Sequence, residues 1–165
     1  MEKYLGRKFI LGTQDCFSLV RDFYHQEYNV EIPDYARPEN YWEHGFNLFE
    51  ELFEKHGFFL LEDNPRTWQI GDVFLIAVGS DFATHAAIYM GENKILHHPP
   101  HKFSCIESYK GLWRNNTLIR LRHVTQKERP VEFKHHNLLD HPHFRGLREG
   151  LANISPRDSR TTKLS

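Results

Sequence analysis

Between Cys16 and Tyr24 the apolar side chains fall at Cys16, Leu19, Val20, Phe23 and Tyr24. That is the i, i+3, i+4, i+7, i+8 spacing of one helical face. Asp15, just before the first of them, is a good N-cap, so the spacing predicts a helix over about 16–28. A second helix is expected over about 40–56, with Trp42, Phe49, Leu52 and Phe53 as its apolar positions and Gly57 as its stop. After Gly57 the pattern shortens to runs of β-forming residues. Phe58–Leu61, Asp72–Val78, His85–Met90, Lys94–His98, Phe103–Glu107 and Leu118–Arg122 are the expected strands. Gly91-Glu92-Asn93 reads as the turn of a hairpin between the third and fourth of these. Helices first and strands after them predict an α+β domain, with N-terminal helices packed on an antiparallel sheet.

Composition divides the chain near His123. Residues 1–123 hold thirteen Lys/Arg and seventeen Asp/Glu, whereas 124–165 hold eight and five. Past His123 there is no Trp or Tyr, and only Phe133 and Phe144 remain of the thirteen Phe. Residues 1–123 are therefore expected to form the folded domain. Residues 124–165 are expected to form an extended arm, with Pro130, Pro142 and Pro156 and short apolar groups too small for a core. Such an arm either docks on a partner or wraps back over its own domain, and docking is the favoured reading. A net charge of −1 and a basic excess confined to an arm without Tyr or Trp argue against a nucleic-acid partner. No segment has the apolar length of a membrane span, and residues 1–12 do not read as a signal peptide. The chain is expected to be made in the cytosol and to stay soluble. Cys16 and Cys105 could form at most one disulfide, which the fold is not expected to need.

Cys16 opens the first predicted helix. Unsatisfied N–H groups and the helix dipole stabilise negative charge there, which is expected to lower the thiol pKa and to supply oxyanion donors. Position alone favours the plainer reading of Cys16 as a small buried hydrophobic side chain. A thiol nucleophile needs an imidazole. His85 opens the strand Ala86-Ala87-Ile88-Tyr89-Met90, whose small residues leave room for a helix start to approach. A third group should orient that ring. With a three-residue turn, Met90 pairs with Lys94 and Ala87 with His97, which puts His85 and His97 on one face and His98 on the other. A turn of two or four residues exchanges the faces, so His97 is the favoured third residue and His98 the reserve. Asp15 is a possible supporting residue. A metal module is the competing chemistry, through His97, His98, His101 and Cys105 or through His135, His136, His141 and His143. No CxxC pair or HExxH string supports it.

Asp15-Cys16-Phe17-Ser18-Leu19-Val20, Gly71-Asp72-Val73 and His85-Ala86-Ala87-Ile88-Tyr89-Met90-Gly91 together resemble the nucleophile, strand-start and base motifs of the NlpC/P60 family. His97 falls where that family has its third polar residue. Gly6-Arg7-Lys8-Phe9, Ile32-Pro33-Asp34-Tyr35, Leu96-His97-His98, Trp113-Arg114 and Leu121-Arg122-His123 are similar to the branch found in lambda-type phage tail assembly proteins. The resemblance covers about Gly6 to His123. It implies a papain-like fold and a cysteine peptidase without metal or cofactor, with Cys16 as nucleophile, His85 as base and His97 as orienting residue. It implies peptidoglycan stem peptides as substrate, cut during infection or in tail assembly at the tail tip, and hub or tail-tip proteins as partners of residues 124–165. Three positions depart from the pattern. Phe9 stands where a Tyr hydroxyl is usual, and Phe17-Ser18 replaces Ser-Gly, which is expected to alter the pocket wall. The N-terminal metalloprotease-like domain often found in that branch is not among these residues, so the peptidase is expected to stand alone. A structural tail-tip protein with a vestigial peptidase fold is the alternative.

Overall fold

The computed structural model describes residues 1–37 and 53–126. Helix α1 (Cys16–Tyr28) starts where its cap predicts. The Asp15 carboxylate accepts the Ser18 N–H, and the Ser18 hydroxyl accepts the Asp15 N–H, a reciprocal capping box. The helix ends on Asn29, whose left-handed backbone directs its N–H to the Tyr24 carbonyl. Residues 53–55 are helical and Gly57 follows them, while the rest of the expected second helix lies outside the described residues. The expectations for the arm past Gln126 lie outside them too.

Among the described residues six strands follow: β1 (Phe58–Leu60), β2 (Val73–Ile76), β3 (His85–Tyr89), β4 (Lys94–His97), β5 (Cys105–Ser108) and β6 (Thr117–His123). They form one antiparallel sheet in the order β1-β6-β2-β3-β4-β5. The β3–β4 turn takes positive φ at Gly91, Glu92 and Asn93, and its three-residue length fixes the register Ala87↔His97. One face of the sheet carries Val73, Leu75, Ala86, Ile88, Leu96 and Leu121 against Leu19, Val20, Phe23 and Tyr24 of α1. The other carries Phe74, Ala87, Tyr89 and Ile95 against Trp68, Tyr109 and Trp113. Trp113 comes from a short helix, α2 (Leu112–Asn115), that the apolar pattern did not predict.

One expectation is corrected by long-range pairing. The strand expected at Phe103–Glu107 begins at Cys105. Ser104 instead clamps the N-terminal segment: it exchanges backbone hydrogen bonds with Gly6 and Arg7, and its hydroxyl donates to the Tyr4 carbonyl. Phe103 is left exposed. The folded contacts also run past His123 to Gln126. The buried Gln126 amide donates to the Ile70 carbonyl and to Asp72, and its oxygen accepts the His123 N–H. Gly71 is required at its turn, because its φ is +98° and a Cβ there would collide with the Tyr28 hydroxyl.

Candidate active site

The sheet and α1 meet where β3 begins. Cys16 is buried, with its sulfur against the backbone N–H of Ala86, the residue after His85, and against the N–H of Phe17. Both contacts favour the thiolate, and the one from Phe17 is the contact that the helix start predicts. Burial outweighs them, and with the neighbouring Asp15 carboxylate it pushes the thiol up to about 12. The expected lowering of the thiol pKa is thus reversed by desolvation, which position in the sequence does not reveal. The possible disulfide is absent, since Cys16 and Cys105 are both free thiols.

His85 is fully enclosed. Its Nε2 lies 2.9 Å from Nδ1 of His97, and its Nδ1 has no hydrogen-bond partner among the described residues. Burial, and then the His97 and His98 rings beside it, push His85 down to about 3, so the ring is neutral at pH 7. His97 continues the chain, its Nε2 lying 2.6 Å from the Glu107 carboxylate. Burial likewise holds His97 below its ordinary value. These contacts set the tautomers. A carboxylate only accepts, so His97 carries its proton on Nε2 and accepts at Nδ1. His85 must then donate from Nε2, which leaves a lone pair on Nδ1. Trp113 covers the pair, its ring centroid 5.3 Å from that of His85 and 4.6 Å from that of His97.

His98, the reserve candidate, does not bond to His85. It packs edge-on against Phe9 with ring centroids 5.3 Å apart, near the backbone of Arg7 and Lys102. Phe9, which lacks the hydroxyl usual at its position, thus serves as a wall for His98 and His101. Phe17 and Ser18 are both buried, Phe17 in the core and Ser18 in the cap, so neither is spent on an open pocket wall.

Asp15 does more than cap. Its second oxygen accepts the Gly12 N–H and pairs with Arg37 at 2.7 Å, and both side chains are buried. Arg37 also donates to the carbonyls of Tyr35 and Gly12 and lies over the Phe17 ring. Sequence reasoning missed Arg37 and Glu107 and gave Trp113 no role. Arg37 lies in an irregular segment without periodicity. Glu107 faces His97 only because β5 starts at Cys105, a register that the connection after His98 hides. Of the residues weighed as metal ligands, the structure brings His97 and Cys105 together, joined by Glu107 rather than by His98 or His101. His135, His136, His141 and His143 lie outside the described residues.

The family model described as NlpC/P60 matches residues 6–122. The chain is 38% identical over 118 residues to the tail tip assembly protein K of Escherichia phage lambda, a match covering 72% of this chain and 58% of that protein. It is 31% identical over 121 residues to the tail tip assembly protein K of Escherichia phage N15, covering 72% of this chain and 49% of that one. The matched part therefore spans about half the length of these curated relatives. Among solved structures, an NlpC/P60 family protein from Bacillus cereus superposes with a TM-score of 0.54 at 16% identity, covering 74% of this chain and 37% of that one. A protein of the same family from Staphylococcus aureus, titled as similar to a lipoprotein, gives 0.50 at 17% identity, covering 73% and 38%. At these identities the structural likeness speaks for the fold alone.

Proposed function

The chain belongs to the NlpC/P60 family, and from that premise we propose that it is a cysteine peptidase that hydrolyses amide bonds in peptidoglycan stem peptides. Cys16 is the nucleophile, His85 the general base and His97 the residue that orients it. The observation that carries this reading is the His85 ring, tied through Nε2 to His97 with Nδ1 unpartnered. That nitrogen belongs to the residue preceding the N–H on which the Cys16 sulfur rests.

The resting pair is a neutral thiol and a neutral imidazole, since burial disfavours both charged forms. Proton transfer therefore accompanies attack. The Cys16 proton moves to His85 Nδ1 as sulfur bonds to the scissile carbonyl carbon, and the N–H groups at the start of α1 receive the oxyanion. His85 then protonates the leaving amine as the C–N bond breaks, which leaves a thioester. Water gives a proton to His85 and its oxygen to the acyl carbon. The thiolate leaves and recovers its proton from His85.

The curated relatives are named as tail tip assembly proteins, which supports action at a phage tail tip, on the cell wall during infection or in tail assembly. Hub or tail-tip proteins are the fitting partners for residues 124–165. No helix among the described residues is long and apolar enough to cross a membrane.

Digestion of purified peptidoglycan followed by mass spectrometry tests the reading. The wild type should release fragments with new amine and carboxyl ends. Folded Cys16→Ala and His85→Ala variants should release them at least about 10²-fold more slowly. A second reading, a structural tail-tip protein with a vestigial peptidase fold, is favoured by the same burial that pushes Cys16 up to about 12. It prevails if the folded wild type leaves peptidoglycan intact.

A further inference from the structure

On the side of His97 away from His85 lies a second set of donors. Cys105 is the register partner of His97 across β4 and β5, and Glu107 is two residues farther along β5, on the same face. One ring nitrogen of His97, the Cys105 sulfur and a Glu107 carboxylate oxygen all lie within 4.8 Å of one another. We propose that these three side chains form a binding site for a divalent transition metal such as zinc, and that its occupation disables the Cys16–His85 pair by reversing the tautomers of the two imidazoles. The metal site stands on the donor geometry, whereas its inhibitory effect rests on the peptidase reading.

The donor set fits the ion. Nitrogen, thiolate and carboxylate are its ordinary ligands, and three protein ligands leave a fourth position for water. Bonds of that kind set ligand atoms about 3.4–3.8 Å apart in a tetrahedron. Nε2 of His97 and the Glu107 oxygen, 2.6 Å apart, must therefore open by almost an ångström, and the widest separation in the cluster, at most 4.8 Å, must close by up to about as much. His97 is locked, but Cys105 is partly exposed and the Glu107 side chain is 44% exposed, so the sulfur can swing inward, the carboxylate can step back from Nε2, and solvent can deliver the ion.

The coupling follows from atoms already placed. Without metal, Glu107 holds the proton of His97 on Nε2, and the lone pair of His85 is on Nδ1. A metal on Nε2 of His97 needs that lone pair, so the proton must sit on Nδ1. Nδ1 then donates to Nε2 of His85, and His85 must carry its own proton on Nδ1. Each imidazole still holds one proton, and Cys105 loses one to solvent as it becomes a thiolate ligand. The nitrogen that should accept the Cys16 proton is now itself protonated.

The test uses the purified full chain, freed of metal and titrated with Zn²⁺ and with Co²⁺. One Zn²⁺ should bind per chain, with at least tenfold weaker binding in Cys105→Ser and in Glu107→Gln and no change in Cys16→Ala. The Co²⁺ form should show sulfur-to-cobalt charge-transfer absorption that survives Cys16→Ala and disappears in Cys105→Ser. Absent binding, binding indifferent to Cys105→Ser, or absorption lost with Cys16 would overturn the site. The switch is read independently of turnover from ring ¹⁵N shifts of His85 and His97, in which Zn²⁺ should exchange the protonated and unprotonated nitrogens of both. Zn²⁺ bound through Cys105 with the ¹⁵N pattern unchanged would overturn the coupling. In digestion, Zn²⁺ should slow the wild type at least tenfold and Cys105→Ser much less. A metal-free wild type without turnover would sink the peptidase reading alone, because the cobalt and ¹⁵N results still decide the site and its coupling.

Discussion

Two aspartate–arginine pairs are buried among the described residues, and they hold different things. Asp72 and Arg122 join the start of β2 to β6 at 2.7 Å, inside the scaffold. Asp15 and Arg37 join the cap of α1 to an irregular segment, also at 2.7 Å, one residue from Cys16. All four side chains are at most 3% exposed, so desolvation is severe in both places. The difference lies in what remains when the carboxylate is taken away. Arg122 would keep the Thr67 carbonyl, and its Nη1 already has no partner among the described residues. Arg37 would keep the carbonyls of Tyr35 and Gly12 and the half-exposed Asp34 carboxylate. The same pair of residue types is thus a lock where alternatives are absent and an adjustable brace where they are present.

The largest expected effect is on the lock. Asp72→Ala should destabilise the fold by about 3–5 kcal/mol, the cost of stranding a buried guanidinium. It also removes the carboxylate that accepts from the Gln69 N–H and from the Gln126 amide. Urea unfolding measures this directly, and turnover per folded molecule should be little changed. A loss below about 1 kcal/mol, the scale of an exposed ion pair, would mean that the two pairs are not different in kind.

Asp15→Ala should cost less stability and more activity. The loss is near that of a helix cap, about 1–2 kcal/mol, because Arg37 retains three acceptors. The cap also places Cys16, and a displacement of the order of an ångström at a reacting atom costs about 10²-fold in rate. Turnover normalised to folded protein should therefore fall well beyond what Asp72→Ala produces. Equal turnover in the two variants would break the comparison from the other side.

Much of this arrangement was legible before the structure. The period of Cys16, Leu19, Val20, Phe23 and Tyr24 with Asp15 ahead of them located α1 to the residue. The Gly91-Glu92-Asn93 turn set the register that puts His97 beside His85. Both signals are local, carried by neighbours in sequence. Arg37, Glu107 and Gln126 were not legible, because their partners are set by how irregular segments return to the core. Gln126 reaches Asp72, and Arg37 reaches Asp15, without any periodic pattern to announce it. The protonation of Cys16 was misread for a related reason. A helix start is visible in sequence, while the burial that outweighs it is a property of the assembled fold.

The smallest expected effect separates the two regions by pH. The site region holds His85, pushed down to about 3 from an ordinary 6.5, and Cys16, pushed up to about 12 from 9.0, both by burial. In the unfolded chain His85 takes up a proton near pH 6.5, while the folded chain refuses it until about 3. The unfolded state binds more protons across that window, so stability rises with pH there and is lost as pH falls through it. Cys16 works in the opposite direction. Its unfolded thiol ionises near 9 and its folded thiol only near 12, so the folded state holds more protons and stability is lost as pH rises through that window. Outside the site, His123 at the end of β6, lowered by burial, adds to the acid limb, and Tyr24 of α1, which donates to the Gly71 carbonyl and is raised well above its ordinary value, adds to the alkaline limb. The melting temperature should therefore form a plateau between about pH 6.5 and 9 and decline on both sides. Cys16→Ser should shallow the alkaline limb while leaving the acid limb in place, because it removes the site's alkaline group and spares Tyr24. An alkaline limb unchanged by Cys16→Ser would assign the whole decline to the tyrosines of the scaffold and leave Cys16 better solvated than its packing against Ala86 implies.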